Sequence, residues 1–272
     1  MTTHFFDQAI ALQADGDNTF AGAAHPAWGN MVGPFGGITA ASALNGVLQH
    51  PKLLGAPIAL TVNFAAALAD GPYRLQAVPV RTNRSTQHWT LAMTQIGADG
   101  AQATVLTGTA VTATRRDTWS RDECAMPQVP APEDAQRIQI QGVEWLNRYD
   151  MRPVAGALPL RWDGAGDSSL TQLWVRDAPQ RPLDFASLAA LSDVFYPRAW
   201  LRRATRVPTG TVSLTTYFHT DAAMLARTGT GYLLGQAQAQ TFRNGFFDQT
   251  AQMWNQAGEL LATSHQIVYY KE

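Results

Sequence analysis

The sequence predicts an α+β chain built from two copies of one unit, each a long helix wrapped by an antiparallel sheet. Three observations predict it. Ala59-Leu-Thr-Val-Asn-Phe64 is echoed by Ser213-Leu-Thr-Thr-Tyr-Phe218. An arginine-led strand pattern follows each echo, from Arg84 and from Arg243, and turns at Gly100 or Gly258 after 16 residues (100 − 84) or 15 residues (258 − 243). Ahead of each set lies a helix-like stretch, Gly37 to Gln49 and Leu183 to Tyr196. A helix followed by a meander of strands, given twice, leaves few architectures open.

Residues 1–20 read as a short amphipathic lead-in. Asn30-Met-Val-Gly-Pro-Phe-Gly-Gly37 is a glycine-rich turn whose backbone can approach another surface closely. It feeds a helix in which Ile38, Ala41, Leu44, Val47 and Leu48 recur at helical spacing, ended by His50-Pro51. Leu60, Val62 and Phe64 alternate as a strand, and 73–81, 87–96 and 103–114 supply three more. Pro127, Pro130 and Pro132 sit in a stretch without periodicity. Residues 119–137 are therefore expected to link a first unit, 1–118, to a second, 138–272, that carries the site. In the second unit, 138–152 and 169–176 are apolar without a clear period. A helix is expected over 183–196, stopped by Pro197, with strands over 211–219, 232–241, 246–255 and 259–270. A helix wrapped by an antiparallel sheet is the hotdog fold, and two copies in one chain make a double hotdog.

Charged residues are 15% of the chain against 46% hydrophobic, with eight Trp, seven Tyr and eleven Phe. So little charge on so aromatic a chain predicts extensive burial, between the halves or in a homo-oligomer. A net charge of −1 offers no broad attraction to nucleic acid or to an anionic membrane. The single cysteine, Cys124, rules out an intrachain disulfide and a Cys-rich metal site. No apolar run reaches the roughly 18 residues that cross a bilayer, and the first residues lack a basic and then apolar leader. A cytoplasmic location is the expectation.

Four segments carry a family resemblance: Phe35-Gly36-Gly37 entering the first helix, Leu191-Ser192-Asp193 in the second, Thr211-Val-Ser-Leu-Thr-Thr-Tyr-Phe-His219, and Gly258-Glu-Leu-Leu-Ala-Thr-Ser-His-Gln266. Together they resemble the acyl-CoA thioesterase II family of double-hotdog enzymes, over almost the whole chain. The resemblance implies hydrolysis of acyl-CoA thioesters by a water held by an Asp, a Thr and a Gln of the second hotdog. Carried over by position, these are Asp193, Thr211 and Gln266, with Phe35, Gly36 and Gly37 expected to bind substrate. The resemblance implies no metal or redox cofactor, and coenzyme A enters as part of the acyl-CoA substrate. Ser213 and Leu214 stand where the family often has an acid and a histidine. Ile267-Val268 replace Glu-Gly after the glutamine, and Ile38 replaces a glutamine after the glycine pair.

Read on their own, the residues leave alternatives. Ala186, Ala189 and Ala190 share a helical face with Asp193. Partial burial would raise its carboxyl above about 4, toward a general base, while the C-terminal end of its own helix would oppose the charge by about 0.3–1 kcal/mol. The same aspartate could instead bond a nearby loop, Thr211 could be strand packing, and Gln266 an edge-facing amide. Ungapped alignment of the copies sets Asn45 opposite Asp193 (193 − 45 = 148) and Gly108 opposite Gln266 (266 − 108 = 158), so a single site in the second unit is expected. The six histidines show no metal-ligand spacing, no Gly-x-Ser-x-Gly elbow occurs, and Gly229-Thr-Gly231 lacks the following helix of a dinucleotide loop. His219 and His265 are reserve candidates for a base. Two other activities stay open: hydration or dehydration of acyl thioesters, and acyl-thioester binding without turnover. No Asp has a His five residues on, a spacing frequent in hotdog hydratases, which weighs against the first.

Overall fold

The computed structural model describes residues 3–138 and 142–272. The first unit opens with α1 (Phe5–Ala9), β1 (Gln13–Ala14) and β2 (Thr19–Ala24). The long helix α2 (Gly36–Leu48) follows, then β3 (Ala56–Phe64), β4 (Gly71–Thr82), β5 (Thr86–Ile96) and β6 (Gln102–Ala113). The second unit repeats the plan with β7 (Tyr149–Ala155), β8 (Thr171–Asp177), α3 (Phe185–Leu191), α4 (Arg198–Arg203), β9 (Thr209–Phe218), α5 (Ala222–Thr228), β10 (Leu233–Gln238), β11 (Phe242–Arg243), β12 (Phe246–Asn255) and β13 (Leu260–Tyr270).

Among the described residues thirteen strands join one sheet, in the order β1-β2-β4-β5-β6-β3-β9-β13-β12-β10-β8-β7, with β11 paired to β12. Read outward from the centre, β3-β6-β5-β4-β2-β1 matches β9-β13-β12-β10-β8-β7. The echoed motifs make the seam. Thr61 pairs with Thr215, their hydroxyls 2.9 Å apart, and Ala59 with Tyr217 mirrors Asn63 with Ser213. A pseudo-twofold axis therefore passes between Thr61 and Thr215, and the molecule is a double hotdog.

Helix α2 is buried from Gly37 to Val47 on every side, as befits a helix apolar all round. It packs on α3 and on the sheet, and one apolar cluster runs through both units, from Leu44, Leu75 and Trp89 to Leu188, Leu214 and Leu261. The 119–137 segment has a single short 3-10 turn, Pro132–Asp134, and lies along the outer face of the second unit. There the indole N–H groups of Trp254 and Trp174 donate to the carbonyls of Cys124 (3.3 Å) and Pro130 (2.9 Å).

The expected second helix is shorter than its apolar period. Asp184 caps its start, accepting from Ser187 N at 2.8 Å. At its end Ser192 Oγ donates to the Leu188 carbonyl at 2.9 Å, and Asp193 N reaches back only three residues to Ala190. That tightening closes α3 at Leu191 and leaves Asp193 in the turn. The expected strand over 232–241 likewise stops at Gln238. Of the unclassified 138–152 segment, 139–141 lie outside the described residues; the rest forms a 3-10 turn, Glu144–Arg148, and enters β7.

Register corrects one alignment. Leu214 and Leu60 are related by the pseudo-twofold (Leu214 − Leu60 equals Thr215 − Thr61, 154), and they pair with Gln266 and Ala110. The counterpart of Gln266 is thus Ala110, not Gly108. The reason is hairpin length: Gly100 to Leu106 takes six residues, Gly258 to its counterpart Ala262 four (106 − 100; 262 − 258). Neither Ala110 nor Gly108 offers an amide side chain, and Asn45 spends its own on the Ile10 carbonyl at 2.7 Å.

Candidate active site

Gln266 lies in the middle of β13, where burial alternates. Ser264, Gln266 and Val268 face inward, His265 and Ile267 outward. Its Nε2 donates to Asp193 Oδ1 at 2.8 Å, and its Oε1 accepts from Thr211 Oγ1 at 3.4 Å. Two residues before it, Ser264 Oγ donates to the Ser192 carbonyl at 3.1 Å, tying β13 to the turn that bears Asp193.

Thr211 reaches this face through a bulge. Ile267 pairs with Ser213 and Val268 with Thr211, so Val212 drops out of the pairing. Under strict alternation Thr211 would point outward with Ser213 and Thr215; the extra residue turns it inward beside Gln266.

The remaining wall is glycine. A Cβ on Gly36 would stand 2.8 Å from Asp193 Oδ2 and 3.4 Å from the Phe64 ring, and one on Gly37 would stand 2.5 Å from the Ala190 carbonyl oxygen. Glycine at both places lets α2 begin directly against the carboxylate, where any side chain would collide with it or with the Ala190 carbonyl. Phe35 does not join them. It is 2% exposed and stacks on Trp145, ring centroids 4.2 Å apart, so it is core packing behind the glycines with no open face.

Asp193 is half-buried. Burial pushes its carboxyl up to about 7, with the Gln266 amide and the Gly37 backbone N–H opposing the rise. The first turn of α2, with N–H groups free of helical partners, also faces it and favours its anion by about 0.3–1 kcal/mol. A base held at the edge of ionisation near neutrality, with one oxygen fixed by an amide and the other against the start of α2, is equipped to take a proton from water.

The reserve histidines lie elsewhere. His265, on the outer face, sits 3.2 Å from Asp248 Oδ2, and exposed His219 is bonded to Thr263 at 2.9 Å. Among the described residues no group of three or more His, Cys, Asp or Glu side chains is placed to hold a metal ion, and no helix is long and apolar enough to cross a membrane. Sequence reasoning missed Ser264, Phe64 and the Val212 bulge. An inward serine two residues before the glutamine was the one readable signal among them.

Among solved structures, a hotdog-fold protein of unknown function from Alicyclobacillus acidocaldarius is 47% identical, covering 100% of this chain and 99% of that one with a TM-score of 0.93. An acyl-CoA thioesterase II, TesB2, from Mycobacterium marinum is 19% identical with a TM-score of 0.77, covering 98% of each chain. The tesB protein of Mycobacterium avium subs paratuberculosis is 17% identical with a TM-score of 0.76, again covering 98% of each. No curated protein matches the sequence. The acyl-CoA thioesterase N-terminal domain matches residues 24–113 and the C-terminal domain residues 121–270, so the chain belongs to the acyl-CoA thioesterase family.

Proposed function

We propose that the protein hydrolyses acyl-CoA thioesters to a free acid and coenzyme A, with Asp193 as the base. The observation that carries this reading is the chain Thr211–Gln266–Asp193, which ends on a carboxylate set against Gly36 at the start of α2. A water at the carboxylate gives its proton to Asp193 while its oxygen bonds to the thioester carbonyl carbon. Free N–H groups at the start of α2 bind the oxyanion that forms. As the intermediate collapses, the carbon–sulfur bond breaks and Asp193 returns the proton to the departing thiolate. Gln266 holds the carboxylate in place and Thr211 holds the amide. Coenzyme A is part of the substrate, and no separate cofactor takes part.

A thiol-release assay across acyl-CoA chain lengths tests the reading. Turnover with at least one acyl-CoA is expected; tight binding with no released thiol would make the protein an acyl-thioester binder instead. Because Asp193 must be ionised to act and burial holds its carboxyl up to about 7, kcat/KM should rise with pH through about 7 and level off above it. A rate flat from pH 5 to 9 would remove Asp193 as the base. Gln266→Ala should lower kcat, by less than loss of the acid itself, since orientation goes while the proton acceptor stays; unchanged kcat in that variant would make Gln266 a bystander.

A further inference from the structure

The seam between the units carries a second surface, on the face of the sheet turned away from Asp193. Strand pairing there lines up one outward residue from each of six strands, in the order Thr90, Thr109, Thr61, Thr215, His265 and Thr250. Five are threonines, and none carries a fixed charge. The flanking rows run across the same six strands from Ala92 to Asp248 and from His88 to Gln252. In these three rows of six, no position is Lys, Arg or Glu. Asp248 is the one carboxylate. It is 6% exposed and is spent on the Gln240 and Thr241 N–H groups, at 2.9 Å each, and on His265. A solvated face of that size would hold about five charged side chains, since about 25–35% of surface positions are charged. What it shows to solvent instead is Tyr217, 49% exposed, Ile267, 40% exposed, and the hydroxyls of Thr90, Thr107 and Thr109. Loss of charge together with exposed tyrosine marks the centre of a protein–protein interface.

The partner that fits this face is a second copy of the chain. A hydroxyl both donates and accepts, so a row of threonines is complementary to the same row turned around. Thr61 and Thr215 spend one bond on each other, and each keeps a lone pair for another donor. A twofold contact sets residues near its axis against their own counterparts, where a fixed charge would meet its like, and the central row has none. The pseudo-twofold between Thr61 and Thr215 makes the face alike on both sides of its centre. A nucleic acid or an acidic peptide would find no Lys or Arg on these rows. The size fits as well. Six strands about 4.8 Å apart and three rows about 7 Å apart span roughly 600 Å² before side-chain relief, against about 600–1,000 Å² per partner in a stable interface.

We propose that two copies of the chain dock through this face, sheet against sheet, with their common axis over Thr61 and Thr215. Ser264 and Gln266 point to the other side of β13, so the contact lies away from the Asp193 site. Docking here does not depend on which reaction that site performs.

Analytical ultracentrifugation of the full chain at micromolar concentration tests it. The wild-type chain of 29.5 kDa should sediment as a dimer, 2 × 29.5 kDa, or as an even multiple of the chain mass. Thr215→Arg sets two cations against each other at the axis and should halve that mass, with circular dichroism reporting that the fold is kept. Leu160→Arg, at a fully exposed position in the loop before β8, should leave the mass as it is. A gentler substitution covers the case in which the arginine variant does not fold. The single cysteine, Cys124, is replaced by serine, and one new cysteine is placed by Thr215→Cys or by Leu160→Cys. Packed sheets lie about 10 Å apart, within reach of a short bismaleimide. Position 215 should link into a covalent dimer, and position 160 should not. A wild type that sediments at 29.5 kDa overturns the proposal, as does a mass unmoved by a folded Thr215→Arg or a failure to link at position 215.

Discussion

Asp193→Asn should lower kcat for acyl-CoA hydrolysis by roughly 10²–10⁴-fold, the range for losing a general base, with KM changed far less. Asparagine keeps an oxygen where Gln266 Nε2 donates at 2.8 Å, so the side chain has reason to stay in place. What disappears is the proton acceptor beside Gly36. A parallel stability measurement guards against simple misfolding. The carboxyl moves from 3.8 in its ordinary state up to about 7 in the fold, so the native state holds a proton that the unfolded chain releases. Native stability is then full below about pH 4 and declines as pH rises through about 7. Asparagine, which never ionises, should raise Tm relative to wild type at pH 8 and change it little at pH 4. Near-full kcat in the variant would place the base elsewhere, and His265 and His219 are poor substitutes, one on the outer face and the other exposed and tied to Thr263.

The fold was legible because the seam between the halves is built from the echoed segments themselves. Thr61 meets Thr215 at the pseudo-twofold, so the repeat in the sequence is the symmetry of the sheet. The three polar residues were legible only through resemblance. Asp193 and Gln266 lie 73 residues apart, and no local pattern says that their side chains touch. What stayed hidden has local physical causes. Thr211 faces Gln266 because Val212 bulges out, and a period of two read along β9 gives the opposite face. Ser192 turns its hydroxyl back on the Leu188 carbonyl and ends α3 early, which apolar spacing does not register. The dipole that matters to Asp193 belongs to α2 of the other unit, brought within reach by two glycines, whereas the sequence pointed to the aspartate's own helix. Phe35 shares a motif with those glycines, yet its size sends it into the core against Trp145.

Arg198→Met should destabilise the protein by about 3–5 kcal/mol and lower kcat as well. Arg198 is 0% exposed and, among the described residues, has no carboxylate partner. Its Nε donates to the Tyr196 carbonyl at 2.8 Å, and its Nη2 donates to the same oxygen. Nη1 donates to the Ser169 carbonyl at 2.8 Å, Thr171 Oγ1 at 2.9 Å and the Ala237 carbonyl at 3.4 Å. Two effects compete when it is removed. The chain is relieved of a desolvated cation, whose burial pushes the guanidinium down to about 9, still charged at neutrality. Against that, four buried acceptors on the 169–171 segment, β10 and the Asp193–Pro197 turn lose their donors at once, at about 1–3 kcal/mol each. The second effect wins because methionine fills the volume but donates nothing. Arg198→Lys, with a single ammonium, cannot serve the Tyr196 and Ser169 carbonyls together and should fall between. Urea unfolding measures the loss. A Met variant as stable as wild type would mean that water takes over the orphaned carbonyls. The kinetic part follows from position: Arg198 pins the Tyr196 carbonyl three residues beyond Asp193, so freeing it loosens the turn that holds the carboxylate in place.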